Sequence, residues 1–381
     1  MTKLHMDLLR MKKLSAIVIG GGINSAVGRV HYEALKMANI DVIDGYFSRD
    51  PTIDRKSRTL WGLNNDEKHR DLRELSLKHK NKSEADLVAI VLTPTTSHHK
   101  DIKCLLRDNY NVICEKPLTV TKEEVEELAE IARDKGKIIR CTYNYGGYPM
   151  FREMVEQVRE KKIGVIQQLI LQMPQEGLVK PPNISGEKKP PQEWRLKDPK
   201  NTSMANLDLG AHLYQMGKMI SNEDIEVVAS CMTNYTNYDK IQDTTYAIIK
   251  TRSGIRGIFW LTKSMFGTRN GLQITVSGDK GTLKWKQTDP ETLELSNAEI
   301  LSQIIDRGGK CIEANKKRYD RMKPGHPAGY IEAFANTYID IQSEILQWQE
   351  TGIDESKYGL DIRTSIEIAR FLENIKEKSM G

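Results

Sequence analysis

The sequence predicts an α/β chain of two domains: an N-terminal doubly wound parallel sheet, then a C-terminal α+β domain built on a large, mostly antiparallel open sheet. Three observations carry this. From Leu14 to about Tyr143, short continuous apolar runs alternate with amphipathic helical stretches, the pattern of parallel strands covered on both faces. The first run ends in "IGGGINSAVGRVH" (19–31), a glycine-rich turn between strand and helix. Past residue 150 the runs become β-rich and are joined by tight glycine turns. A length of 381 residues fits two domains at roughly 150 or more residues each, read as 1–145 and 146–381.

The first five strands are "LSAIVIG", "DVIDGYF", "DLVAIVL", "YNVIC" and "KIIRCTY". The helix after Lys116 is the best marked. Thr121 and Glu124 form a capping box, Val125, Leu128, Ala129 and Ala132 share one apolar face, and Gly136 is placed to end it. A helix over 150–161 opens the second domain, followed by strands in "VIQQLILQM", "VVASCMTNY", "TTYAIIKTRSGIRGIFWLTKS" and "LQITVSGDKGTLKWKQ". Ser253-Gly254 and Gly278-Asp279-Lys280-Gly281 are the hairpin turns of the last two. Helical patterns at 205–220, 327–350 and 361–376 are expected to cover one face of this sheet and leave the other open to an oligomer partner. The loop 174–193, rich in Pro, Gly and Lys, reads as a mobile lid or solvent loop.

Composition narrows the function classes. Lys and Arg number 57 against 52 Asp and Glu, a mild +5, and no nucleic-acid-binding motif accompanies the basic runs "GEKKPP" (186–191) and "NKKRYDRMK" (315–323). No apolar run approaches the roughly 20 residues that span a bilayer, and the N-terminal run passes straight into glycines, so it reads as a strand and not as a leader. Cys104, Cys114, Cys141, Cys231 and Cys311 contain no C-x-x-C, which fits a reducing, cytoplasmic setting. His98 and His99 lack a further ligand at metal spacing, so no metal is expected.

Glycines between strand and helix let the backbone approach a pyrophosphate, whose charge the helix N-terminus favours. Gly20 and Gly22 fit the first two positions of G-x-G-x-x-G, but five residues separate Gly22 from Gly28 where two are usual. A plain glycine-rich turn is the competing reading. The ribose-reading position, 20 residues beyond Gly28, lies in "GYFSRDP" (45–51), where Ser48 aligns best and Arg49 follows. A hydroxyl with a guanidinium suits a 2′-phosphate, which favours NADP over NAD; a role for nearby Asp50, or an Arg49 that is merely solvated, would favour NAD.

Beyond these residues, "TPTTSH" (93–98), "CEKPLT" (114–119), "NYGGYPM" (144–150), "EWR" (193–195), "LDLGAH" (207–212) and "HPAGYIEAFANTYID" (326–340) mark the chain. With them it resembles the Gfo/Idh/MocA oxidoreductases, the glucose-fructose oxidoreductase and inositol dehydrogenase relatives, over nearly its whole length. "EKP" followed by D-x-x-x-H is the specific part. Two departures are the insertion in the glycine loop and "TSMAN" (202–206) where glycines often precede the D-x-x-x-H helix.

The resemblance implies a Rossmann domain with Gly20, Gly22, Asn24, Ser25, Gly28, Ser48, Arg49, Thr93, Pro94, His98, Glu115 and Lys116 along NADP or NAD. It implies a catalytic set of Lys116, Asp208 and His212, with a cis Lys116-Pro117 bond, and places Tyr148, Trp194 and Arg195 near a sugar-like substrate. Lys116 at the carboxyl end of a parallel strand suits stabilisation of charge on a substrate oxygen. Asp208 and His212 stand four apart on one helix face, His212 as general base and Asp208 either orienting its ring or hydrogen-bonding the substrate. The implied activity is hydride transfer to or from a secondary alcohol of a sugar or cyclitol, in a homodimer or homotetramer. A cofactor-retaining glycosidase cycle and a non-catalytic, cofactor-sensing regulator are the other readings.

Overall fold

Strands β1 (Ser15–Gly20), β2 (Asp41–Tyr46), β3 (Leu87–Leu92), β4 (Asn111–Cys114) and β5 (Ile139–Cys141) form one sheet of order β2-β1-β3-β4-β5, every pair parallel. Helices α1 (Gly28–Met37), α2 (Pro51–Leu60), α3 (Leu72–His79), α4 (Thr95–Arg107) and α5 (Lys122–Asp134) alternate with them; α6 (Pro149–Arg159), α7 (Ala211–Ser221), α8 (Tyr330–Thr351) and α9 (Ile362–Glu377) follow. The computed structural model describes residues 13–64, 68–82, 86–179, 198–199, 202–238, 241–299 and 301–380. The chain divides into two units, Met1–Gly147 with Tyr330–Ile366, and Tyr148–Gly329 with Glu367–Gly381.

In the first unit the apolar runs are strands because both faces are covered: every residue of β3 is buried. The capping box of α5 is present, with Thr121 accepting from the Glu124 N–H and Glu124 reaching back to Thr121. Asp44 of β2 is a polar exception inside the unit. Burial opposes its charge, but hydrogen bonds from His69, His79, Lys78 and the Gly45 N–H prevail, and its carboxyl lies well below the usual range. Arg58 of α2 adds an ion pair at 3.0 Å, so one carboxylate ties β2 to α2 and α3.

Helix α8 is also part of this unit, which corrects the expectation that the 327–350 helix covers the second sheet. It packs on α1, where Phe334 and Tyr338 meet the His31 ring edge-on. Its apolar face announced burial, not the surface that supplies it.

The second unit holds β6 (Ile166–Pro174), β7 (Ile225–Thr233), β8 (Thr244–Thr251), β9 (Arg256–Thr262), β10 (Gln273–Gly278), β11 (Gly281–Lys286), β12 (Asp289–Asn297) and β13 (Gln303–Asp306). Their order is β13-β12-β11-β10-β6-β9-β8-β7, antiparallel except for the β6/β9 pair. Sequence reading stops at Gln287 and misses β12 and β13, whose alternation is largely polar. One face is apolar and buried, with Leu169, Leu171, Ile249, Phe259, Leu261, Val276 and Trp285, and α6 and α7 pack against this sheet.

Candidate active site

The chain leaves β1 for β2 on one side and returns to β3 on the other, so the carboxyl ends of β1 and β3 flank the crevice in which doubly wound sheets bind ligands. Two glycines make the crossing possible. Gly20 has φ +80°, and a Cβ there would stand 2.7 Å from the Leu92 and Thr93 backbone. A Cβ on Gly28, the first residue of α1, would stand 2.1 Å from the Gly21 carbonyl oxygen. Gly28 therefore does the third glycine's work despite the wrong spacing: it lets the helix start lie against the loop.

The extra residues fold back on themselves. Ser25 N–H donates to the Gly22 carbonyl at 2.8 Å, and the Ser25 hydroxyl accepts from Val27 and Gly28 N–H at 3.3 and 3.1 Å. Ser25 thus caps the helix start, while Asn24 is exposed. Gly21, at φ +71°, was not singled out from the sequence; positive φ leaves no mark in a run of three glycines. The closely approached backbone fits a dinucleotide pyrophosphate.

At the end of β2 the Ser48 hydroxyl accepts from the Asp50 N–H at 3.1 Å. The carboxylates close by are engaged with backbone: Asp50 caps α2 through Thr52 and Ile53, and Asp54 accepts from Phe47 at 2.8 Å. Arg49 is exposed. Thr93 donates to Asp101 at 2.7 Å, and Pro94 leads into α4. His98 is buried, with Nε2 2.7 Å from the Thr93 carbonyl and Nδ1 3.1 Å from the Pro117 carbonyl. It fastens the loop after β3 to the loop after β4.

Glu115 accepts from the Thr142 hydroxyl at 2.6 Å and stands 3.5 Å from His31 Nε2. Burial pushes its carboxyl up, but His31, Lys116 and Thr142 outweigh this and hold it below the ordinary range. His31 in turn meets the Tyr338 hydroxyl at 2.7 Å. This supporting chain was missed from sequence, although its histidine closes the glycine-rich stretch 19–31. The Lys116-Pro117 bond is cis, as the resemblance implies. The glycine loop, Ser48, Arg49, Thr93, Pro94, His98, Glu115 and Lys116 all stand at or beyond the carboxyl ends of one sheet.

In the second unit Asp208 lies in a π-helical turn, Asn206–Gly210, that runs directly into α7 and His212. Such wide turns recur at functional sites. His212 is buried. The Asp208 carboxylate pairs with Lys263, at the residue after β9, a partner the sequence reading did not name. Preceding the turn, Ser203 donates to the Gln242 carbonyl at 2.9 Å, within the segment where glycines were expected. Tyr148 is buried, its ring 5.4 Å from Trp285 and its hydroxyl accepting from Gln287 at 3.0 Å. Trp194 and Arg195 lie outside the described residues. His99 bonds Glu127 at 2.7 Å, and among the described residues no three His, Cys, Asp or Glu are grouped to hold a metal. No described helix is long and apolar enough to cross a membrane.

Comparison with known proteins follows this division. The family model described as "Oxidoreductase family, NAD-binding Rossmann fold" matches residues 14–143, and that of the GFO/IDH/MocA C-terminal domain matches residues 151–284. An uncharacterised oxidoreductase, YfiI, of Bacillus subtilis is 25% identical over 97% of this chain and 96% of its own length. A 1,5-anhydro-D-fructose reductase of Ensifer adhaerens is 24% identical over 58% of this chain and 64% of its own. Among solved structures, an inositol dehydrogenase homolog of Azotobacter vinelandii complexed with NAD+ superposes with a TM-score of 0.85 at 22% identity, covering 97% of each chain. Levoglucosan dehydrogenase complexed with NADH and levoglucosan gives 0.78 at 18%, covering 97% of this chain and 98% of that one. Matched in both its halves by models of one family, on a fold with the glycine cradle in place, the chain belongs to the Gfo/Idh/MocA oxidoreductases.

Proposed function

We propose that this protein moves a hydride between a nicotinamide dinucleotide, NADP in preference to NAD, and a secondary alcohol or ketone of a sugar, activated sugar or cyclitol. The observation that best supports the reading is where three side chains stand in their own units: Lys116 just past a strand's carboxyl end, and Asp208 one turn before His212. The dinucleotide, when bound, supplies hydride acceptance and return. Lys116 hydrogen-bonds the substrate oxygen and favours the charge that develops on it. His212 takes the hydroxyl proton, and Asp208 steadies the imidazolium that results. The NADP preference rests on Ser48 and Arg49, beside carboxylates already engaged with backbone.

The substrate class is supported by relatives whose names carry 1,5-anhydro-D-fructose, a dTDP-linked deoxysugar, myo-inositol and levoglucosan. A homodimer or homotetramer through the exposed sheet face, and a reducing cytoplasmic setting for five unbridged thiols, belong to the same proposal. Thermal shifts with NADPH and NADH test the cofactor; a ligand at 100 times its Kd adds about 2.7 kcal/mol of stability. Lys116→Ala and His212→Ala should then lower turnover on a sugar panel by orders of magnitude with cofactor binding nearly intact. Near-normal turnover in either variant would remove that residue from the mechanism.

A further inference from the structure

A cleft of about 910 Å³ lies against the end of β2, the start of α3 and one side of α4, all in the first unit. Four of its lining residues, Arg49, Arg73, Lys100 and Arg107, are cations with no hydrogen bond or ion pair to another side chain among the described residues. The carboxylates of the same wall are engaged. Asp71 caps α3 through the Glu74 N–H at 2.9 Å, Asp101 accepts from Thr93 at 2.7 Å, and Asp108 accepts from Ser76 at 2.7 Å and faces Lys80 at 3.5 Å. Lys103 and His99 are matched by Glu127. The cleft therefore carries positive charge that its own acidic residues do not cancel.

Its upper rim is the ribose-reading end of β2. Tyr46 closes that strand, Arg49 follows, and Lys100 and Asp101 face them from α4. Arg49 and Lys100 both act on Asp101, whose carboxyl is nonetheless raised, first by its burial. Arg107 lies about 10 Å further along the helix than Lys100.

Resting on the dinucleotide reading above, we propose that the rim of this cleft takes the phosphate carried on the 2′ carbon of the adenosine ribose. Arg49 and Lys100 grip it, and Arg73 adds charge from α3. A guanidinium and an ammonium converging on one phosphate give charge-assisted hydrogen bonds from two elements, so the preference does not rest on the loop after β2 alone. Lys100 and Arg73 are specificity-determining residues that the sequence fingerprint does not name.

The test is calorimetric titration of the purified protein with adenosine 2′,5′-bisphosphate and with adenosine 5′-monophosphate, which differ only by the 2′-phosphate. The bisphosphate should bind about tenfold tighter or better at low salt, with the margin shrinking as salt rises. Lys100→Ala and Arg73→Ala should each cut that margin roughly three- to tenfold and leave the monophosphate affinity unchanged. Equal affinity of the two nucleotides, with NADH still binding, overturns the 2′-phosphate assignment and leaves the dinucleotide reading standing. An undiminished margin in the Lys100→Ala, Arg73→Ala double variant overturns the assignment of those residues. Loss of both nucleotides and of NADH would remove the dinucleotide reading, and this inference with it.

Discussion

Single residues decide whether each unit keeps its local geometry. Gly28 has an ordinary φ, so an alanine there is opposed by space alone, and the obstacle is backbone, the Gly21 carbonyl at 2.1 Å. We expect Gly28→Ala to push α1 off the loop, to destabilise the protein by about 1–3 kcal/mol as overpacking does, and to abolish the thermal shift with dinucleotide. Gly136→Ala is its contrast: nothing lies within 4 Å of the new Cβ, and only the φ of +56° is strained. Cofactor response should survive there. Asp208 and Lys263 are the second case. Both side chains are mostly buried and paired, so removing one takes an opposite charge away from a group held largely out of water. A cycle of Asp208→Asn, Lys263→Met and the double variant, followed by urea unfolding, should return a coupling of about 1–3 kcal/mol. Additive losses would mean that the pair does not act as a unit. Asp208 and His212 were marked by the resemblance, with a spacing of four that puts both on one helix face; Lys263 is 55 residues away, at the end of a strand, and only folding brings it in.

At the scale of elements, β1, β3, β4 and β5 were legible because burial on both faces writes continuous apolar runs. Helix α8 shows where that legibility stops. A 3.6-residue period reports that one side is buried, but Phe334 and Tyr338 carry no indication that their partner is His31, some 300 residues earlier. The same helix holds a group with a measurable consequence. Burial raises the Glu344 carboxyl to about 7, against the pull of Arg140 and Ser356, and Asp340 adds to the rise. Arg140 is fully buried and already paired with Asp354 at 2.6 Å, so its charge is shared between two carboxylates. A carboxyl whose pKa is higher in the folded protein than in the unfolded chain binds its proton more tightly when folded. The stability it contributes is complete below the ordinary value of 4.5 and is lost as pH rises through about 7. Between pH 5 and pH 8 the urea midpoint should fall by the equivalent of roughly 3 kcal/mol at most, and Glu344→Gln should flatten that slope. An unchanged slope in the variant would assign the pH dependence elsewhere.

For the molecule as a whole, the question is what covers the second sheet's outer face. The strand period of two sends Ala247, Ile249, Phe259 and Leu261 inward, so their neighbours must point the other way, and several of those are apolar as well. Register aligns them. Ala229 of β7 pairs with Ile248, Ile248 with Ile258, and Ile258 with Ile170, a row crossing four strands, and beside it Tyr246 pairs with Trp260 with their rings parallel 6.3 Å apart. Ile248 and Ile258 are more than half exposed. A scattered exposed isoleucine means nothing, but a contiguous apolar row on an open sheet face is what a self-complementary interface uses. Sequence alternation alone could not separate this from a half-buried sheet, since both faces read as apolar over β8 and β9; the register supplies the difference. If two copies meet on this row, a charge placed at its centre is buried in the pair without a partner, whereas in a single copy it is merely solvated. Ile248→Lys with Ile258→Lys should therefore turn a dimer or tetramer into smaller species by light scattering, with the far-ultraviolet circular dichroism unchanged. A wild-type protein that is monomeric at micromolar concentration, or a double variant that keeps its full assembly, would move the interface off this face and leave the exposed row without a role in assembly.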